Sequence, residues 1–152
     1  MKTPTVIACD VYKTILFGDD PENCVPARTG FVEFARRCVS KGIVLVTSSD
    51  NGTELVRIEL EVCGVPLELF SEHFRMESGQ PKKFQPILER FGIDPEELLV
   101  IGDTLDLDVN PALRQGCRAI LVPPYNSLQD SFDWMSILHF VTEPVGYDSE
   151  PV

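Results

Sequence analysis

The sequence predicts an α/β fold of three layers, α/β/α, built around a mainly parallel, Rossmann-like sheet. Three observations lead there. Short apolar runs alternate along the chain with stretches whose apolar residues recur at helical spacing. Glycine and proline punctuate the junctions between them. Three of the runs end abruptly in a polar residue: Asp10, Thr47 and Asp103. Parallel strands need crossover helices, and those helices cover both faces of the sheet. At 152 residues the chain suits one hydrophobic core. We read residues 1–142 as a single domain and residues 143–152 as a flexible acidic tail.

Taken in order, Thr5-Val6-Ile7-Ala8-Cys9 is an apolar run that ends at Asp10 and reads as a buried strand. Residues 11 to 28 carry Gly, Asp, Pro and Asn, and read as a loop or small flap. Phe31, Phe34, Ala35, Cys38 and Val39 fall on one face of an amphipathic helix. Thr29 is placed to cap its start, and Gly42 follows its end. Ile43 to Val46 is a second strand, ending at Thr47-Ser48-Ser49-Asp50. Residues 52 to 63 read as a helix with Leu55, Ile58 and Val62 on one side, and Pro66 ends that unit. A short strand fits within Leu67 to Phe74. Phe84, Ile87, Leu88 and Phe91 make another helical face, closed by Gly92. Asp94-Pro95-Glu96-Glu97 reads as a helix start. Leu98 to Ile101 is a third clear strand, ending at Gly102-Asp103, with a helix expected from about 106 to 115. Ala119 to Val122 is a fourth, and residues 127 to 138 read as a last helix.

Composition narrows the function. The net charge of −11 argues against nucleic acid, whose phosphates call for a basic footprint. Most of that acidity reads as solubility. No apolar run is long enough for a membrane span. Met1-Lys2-Thr3-Pro4 leads straight into a strand rather than a signal peptide, so a cytoplasmic protein is expected. Five cysteines, an odd count without a CxxC pair, fit neither a disulfide framework nor a zinc ribbon. They read as buried reduced thiols. His73 and His139 lie far in sequence from the strand-end residues and read as structural or surface residues.

In open α/β sheets, ligands bind beyond the carboxyl ends of the strands. Four motifs stand there in order. They are Val-Ile-Ala-Cys-Asp10-Val-Tyr-Lys-Thr14, Val-Leu-Val-Thr47, Lys82-Lys83, and Val-Ile-Gly-Asp103-Thr-Leu-Asp-Leu-Asp108. The set resembles the haloacid dehalogenase-like (HAD) hydrolases over roughly residues 4 to 123. It looks like a capless or minimally capped member.

That resemblance implies roles. Asp10 would be the nucleophile of a phosphatase, forming an aspartyl-phosphate. Mg²⁺ would neutralise the charge, held by the Asp10 carboxylate, the Tyr12 carbonyl and the Asp103 carboxylate. Asp108 would stand behind these ligands or act through water. Thr47, or Ser48 in its place, would hydrogen-bond the phosphoryl group. Lys82 or Lys83 would pair with the nucleophile. Backbone N–H groups near Thr14 would add donors. Each residue also has a plainer reading: strand-end Asp residues serve as turns or caps, Asp103 as a helix N-cap, and the two lysines as a solvated helix start. Asp106 reads as solvated.

Position 12 departs from the phosphatase pattern. HAD phosphatases carry a second Asp two residues after the nucleophile, as general acid and base. Tyr12 stands there, and a phenol with a pKa of about 10 is a poor base at neutral pH. The 2-haloacid dehalogenases also have Tyr at this position, with Gly where Lys13 stands. They lack the metal-binding acid that Asp103 would supply. They also carry a helical cap, for which the 36 residues between Asp10 and Thr47 leave no room. Three readings follow: a Mg²⁺-dependent phosphatase, a catalytically weak HAD-like binding module, and, least favoured, a dehalogenase. A capless site would be open, which suits a large phosphorylated substrate such as a protein.

Overall fold

The computed structural model describes residues 3–17, 25–127 and 129–142. The acidic tail and residues 18–24 of the expected flap, Cys24 among them, lie outside the described residues.

All four residues of strand β1 (Val6–Cys9) are apolar and buried. A strand without a polar face must be covered on both sides, which makes it central. β1 is flanked by β2 (Val44–Ser49) and β4 (Leu98–Gly102), with β3 (Glu72–Arg75) and β5 (Arg118–Leu121) at the edges. The order is β3-β2-β1-β4-β5, and every pairing is parallel. Alternate side chains feed two cores. Ile7, Cys9 and Leu45 pack with helices α1 (Phe31–Ser40), α2 (Thr53–Val62) and α5 (Trp134–Thr142). Val6, Ala8 and Val46 pack with α3 (Gln85–Phe91) and α4 (Asn110–Arg114). These are the three layers expected. No described helix is long and apolar enough to cross a membrane.

The order positions the site. The chain builds outward from β1 through β2 to β3, then crosses back to β4 on the other side of β1. The order therefore reverses between β1 and β4. Crossovers leave opposite faces there and open a crevice at the carboxyl ends. Asp10 and Asp103 are the residues that follow those two strands.

Several local expectations change. Gly30, with φ 91, caps α1 without a side-chain bond, so Thr29 does not cap it. β2 runs on to Ser49, so Thr47 lies inside the strand rather than after it. Leu55, Ile58 and Val62 face outward at 45%, 53% and 57% exposure. The inner face of α2 is Val56, Glu59 and Leu60. The helix start expected at Asp94-Pro95-Glu96-Glu97 is a single 3₁₀ turn, closed by a capping box of Asp94 and Glu97, that runs directly into β4. The helix expected at 106–115 is a π-type turn, Leu105–Val109, followed by the short α4. The last helix starts at Trp134, later than expected.

Candidate active site

The acids meet because neighbouring strands deliver them. The Asp10 N–H donates to the Ile101 carbonyl at 2.9 Å, which fixes where Asp10 leaves the sheet. Asp108 comes back from the π-type turn, in which the Val109 N–H donates to the Thr104 carbonyl at 3.1 Å. This five-residue step is wider than an α-helical turn. It lays the Asp108 side chain on Gly102, where an added Cβ would sit 2.4 Å from the Asp108 Cγ. Only glycine permits that approach. One carboxylate oxygen each from Asp10, Asp103 and Asp108 lies within 4.8 Å of the others. Asp106 is exposed, as read from sequence.

One buried ammonium serves two of these acids. Lys82 is 6% exposed, and its Nζ lies 2.8 Å from Asp10 Oδ1 and 2.5 Å from Asp108 Oδ1. It also donates to the Ser48 carbonyl at 2.5 Å. Lys83 is exposed and lines a neighbouring cavity with Arg114, so it does not share this cluster. The backbone around Lys82 is clamped by Gln115. Gln115 Nε2 donates to the carbonyls of Lys82 (2.8 Å) and Pro111 (3.0 Å), and its Oε1 accepts from Phe84 N–H at 2.8 Å. Nothing in the sequence pattern marks Gln115.

The loop after Asp10 folds on itself. Ile15 and Leu16 N–H both donate to the Val11 carbonyl, at 2.8 and 3.0 Å, and Lys13 N–H donates to Leu16 at 2.8 Å. Thr14 N–H also turns to Val11, at 3.3 Å. The backbone donors expected to face a ligand near Thr14 are thus used within the loop. Thr14 contributes its hydroxyl instead, 3.0 Å from Asp10 Oδ2 and 3.4 Å from Asp103 Oδ1. Both Asp10 oxygens therefore have a partner, Lys82 on one and Thr14 on the other. Arg28, buried against Tyr125 and Phe132, donates to the Thr14 carbonyl at 3.4 Å.

Tyr12 lines the cavity, and its hydroxyl donates to Glu59 Oε1 of α2 at 2.9 Å. Glu59 shares the buried face of α2 with Val56 and Leu60, a face that the sequence pattern, with Leu55, Ile58 and Val62 on the other side, does not mark. Thr47 does not line the cavity; its hydroxyl lies 2.7 Å from His73 Nδ1. Although far from Thr47 in sequence, His73, read as structural or surface, stands beside it because β2 and β3 pair the two in register. Ser48 is fully buried, and only its carbonyl reaches Lys82.

The cavity over the acids measures about 170 Å³ and is lined by Asp10, Tyr12, Lys13, Lys82, Asp103 and Asp108, among others. A family model of HAD-hydrolase-like proteins matches residues 79–124, from the loop before Lys82 through β5. A predicted phosphoglycolate phosphatase from Haemophilus somnus 129pt shares the fold with a TM-score of 0.74 at 15% identity, over 93% of this chain and 100% of that one. The fold is HAD-like. A haloacid dehalogenase-like family hydrolase from Streptococcus pneumoniae aligns with the HAD-like chain at a TM-score of 0.70 and 12% identity, covering 92% of it and 99% of the other. A dehalogenase determined as an intermediate complex gives 0.74 at 10% identity, covering 95% and 100%. At these identities the likeness is one of fold. No curated protein sequence matches significantly.

The electrostatics of the site follow from burial. Burial pushes the Asp10 carboxyl up to about 6, against the pull of Lys82. Asp108 is raised for the same first reason, with the Asp10 charge adding to it. Burial disfavours the Lys82 ammonium, but Asp10 and Asp108 outweigh it and hold Lys82 above the usual lysine range. Burial also raises the thiols of Cys38 and Cys117, to about 12 and about 11, so both stay protonated. A cluster of three oxygen-bearing acids, two of them raised, is suited to a hard divalent cation, which favours the ionised form.

Proposed function

We propose that the chain is a Mg²⁺-dependent phosphohydrolase that works through an aspartyl-phosphate at Asp10. The observation that carries the reading is the convergence of Asp10, Asp103 and Asp108 around the buried Lys82. The residues fit the ion: three carboxylates offer oxygen ligands, which Mg²⁺ prefers. Asp10, Asp103 and the Tyr12 carbonyl would hold it, with Asp108 behind them. When bound, it would neutralise phosphoryl charge and so let two anions approach.

The chain's own residues do the rest. Thr14 and Lys82 each hold one Asp10 oxygen, which fixes the carboxylate's orientation. Asp10 attacks phosphorus, and the bond to the leaving oxygen breaks. Water then attacks phosphorus, the aspartyl bond breaks, and phosphate leaves with Asp10 regenerated. Lys82 stabilises the charge at both stages without moving, because Ser48 and Asp108 anchor it from behind. Ser48 would act on the phosphoryl group only through its carbonyl on Lys82, and Thr47 is paired with His73 outside the cavity lining.

Tyr12 sets the limit. Its hydroxyl is held by Glu59, and no carboxylic acid stands in its place to protonate a poor leaving group. General acid–base help typically contributes 10²- to 10⁴-fold. Activated phosphoesters or acyl phosphates should therefore turn over, and simple alkyl phosphates should be slow. A capless or minimally capped site, as the sequence suggests, would suit a large phosphorylated substrate, including one on a protein.

The test is hydrolysis of an activated aryl phosphate, with and without Mg²⁺, by wild type and Asp10→Asn. Turnover that needs both the ion and Asp10 is expected. Equal rates for wild type and Asp10→Asn would replace the enzyme with a binding module.

A further inference from the structure

Lys13 holds a conformation that its side chain disfavours. Its φ is 66, the left-handed region, and among the described residues no other non-glycine shares it. The loop uses only its backbone. The N–H donates to Leu16, and the carbonyl accepts from Tyr125 N–H at 2.7 Å. Glycine would make both bonds without strain. The side chain is therefore present for some reason other than the turn.

The cavity supplies that reason. Five carboxylates line it against two cations, Lys82 and Lys13. Lys82 is buried and already faces Asp10 and Asp108. Lys13 lines the same cavity, is half-exposed where Lys82 is buried, and forms no ion pair with any described acid. An ammonium without an ion pair, lining an otherwise acidic cavity, is a ready partner for an anion that Lys82 does not hold. Backbone strain at such a place is often tied to function.

We propose that Lys13 is a specificity residue that binds a second anionic group of the substrate, close to the phosphoryl group at Asp10. The preferred substrates are then phosphorylated acids, with a carboxylate or second phosphoryl group beside the reacting one. This rests on the phosphohydrolase reading, and the measurement separates the two.

Binding of methylphosphonate and phosphonoacetate is compared by calorimetry in the presence of Mg²⁺. The two share the phosphonate, and only the second carries a neighbouring carboxylate. Wild type should prefer phosphonoacetate by about tenfold, the scale of one charge-assisted contact. Lys13→Gly should abolish the preference, and Lys13→Arg should restore it. A preference that survives in Lys13→Gly overturns the inference. So does an equal weakening of both ligands, which would assign Lys13 to the phosphoryl group itself. If wild type hydrolyses the aryl phosphate but shows no preference, this inference alone falls. If it neither turns over nor binds either phosphonate, the phosphohydrolase reading falls and takes this one with it.

Discussion

At the scale of single residues, glycine 102 decides as much as the acids around it. Its missing side chain is the space that Asp108 occupies, with Cγ, Cβ and Oδ2 all within 2.6 Å of where a Cβ would stand. Asp108 in turn is one of the two carboxylates holding Lys82. Gly102→Ala should therefore act twice. Overpacking should cost about 1–3 kcal/mol, which for a chain of this size lowers the melting temperature by roughly 2–10 °C. It should also push Asp108 away from Lys82 and lower aryl phosphate turnover by more than the lost stability explains. Thermal melts and turnover rates on the same preparation check this. A variant with wild-type melting and rate would mean that the loop shifts freely and the close contact is incidental.

Elements show how far the sequence could be read. Strands, most helices, Asp10, Asp103 and the lysine pair were legible because each rests on a local pattern: an apolar run, a helical spacing, a polar residue at a strand end. What was illegible depends on pairing between distant segments. Thr47 was expected to face the ligand, but β3 places His73 beside it, a contact set by register alone. The apolar residues of α2 were a poor guide to its inner face, since the helix buries Glu59 to meet Tyr12 and leaves Leu55, Ile58 and Val62 outside. The choice of Lys82 over Lys83 follows from α4. Gln115, at its end, ties down the backbone on both sides of Lys83, and that directs Lys82 inward. Gln115→Met keeps the volume and removes all three bonds. At about 1 kcal/mol each, the loss should be roughly 2–3 kcal/mol. Phe84 N–H should lose its protection from hydrogen exchange, and turnover should fall about tenfold or more as Lys82 loosens. Unchanged Phe84 protection would show that α3 and α4 hold the segment without this side chain.

For the whole molecule, the sheet order gathers acids where burial disfavours the charge of Asp10 and Asp108, a cost that the proposed metal would relieve. The sign follows from Asp10, whose carboxyl is raised from 3.8 to about 6 by burial. A raised acid favours the folded state in its protonated form. That contribution is full below about pH 4 and is lost as pH rises through about 6, so the metal-free protein gives up stability across this window. Mg²⁺ needs the ionised carboxylates, and its affinity should rise over the same window as fewer protons must be displaced. At a hundredfold excess over its dissociation constant, a ligand stabilises by about 2.7 kcal/mol, or roughly 5–10 °C here. Melting temperatures with and without saturating Mg²⁺ should thus coincide near pH 4.5 and separate above pH 7. Asp10→Asn and Asp103→Asn should each remove the separation. A Mg²⁺ effect of equal size at both pH values, or one retained in both variants, would place the ion on the acidic surface of this −11 chain rather than between β1 and β4. The pH dependence is the informative part, because surface carboxylates ionise near 4 and would already bind at pH 4.5.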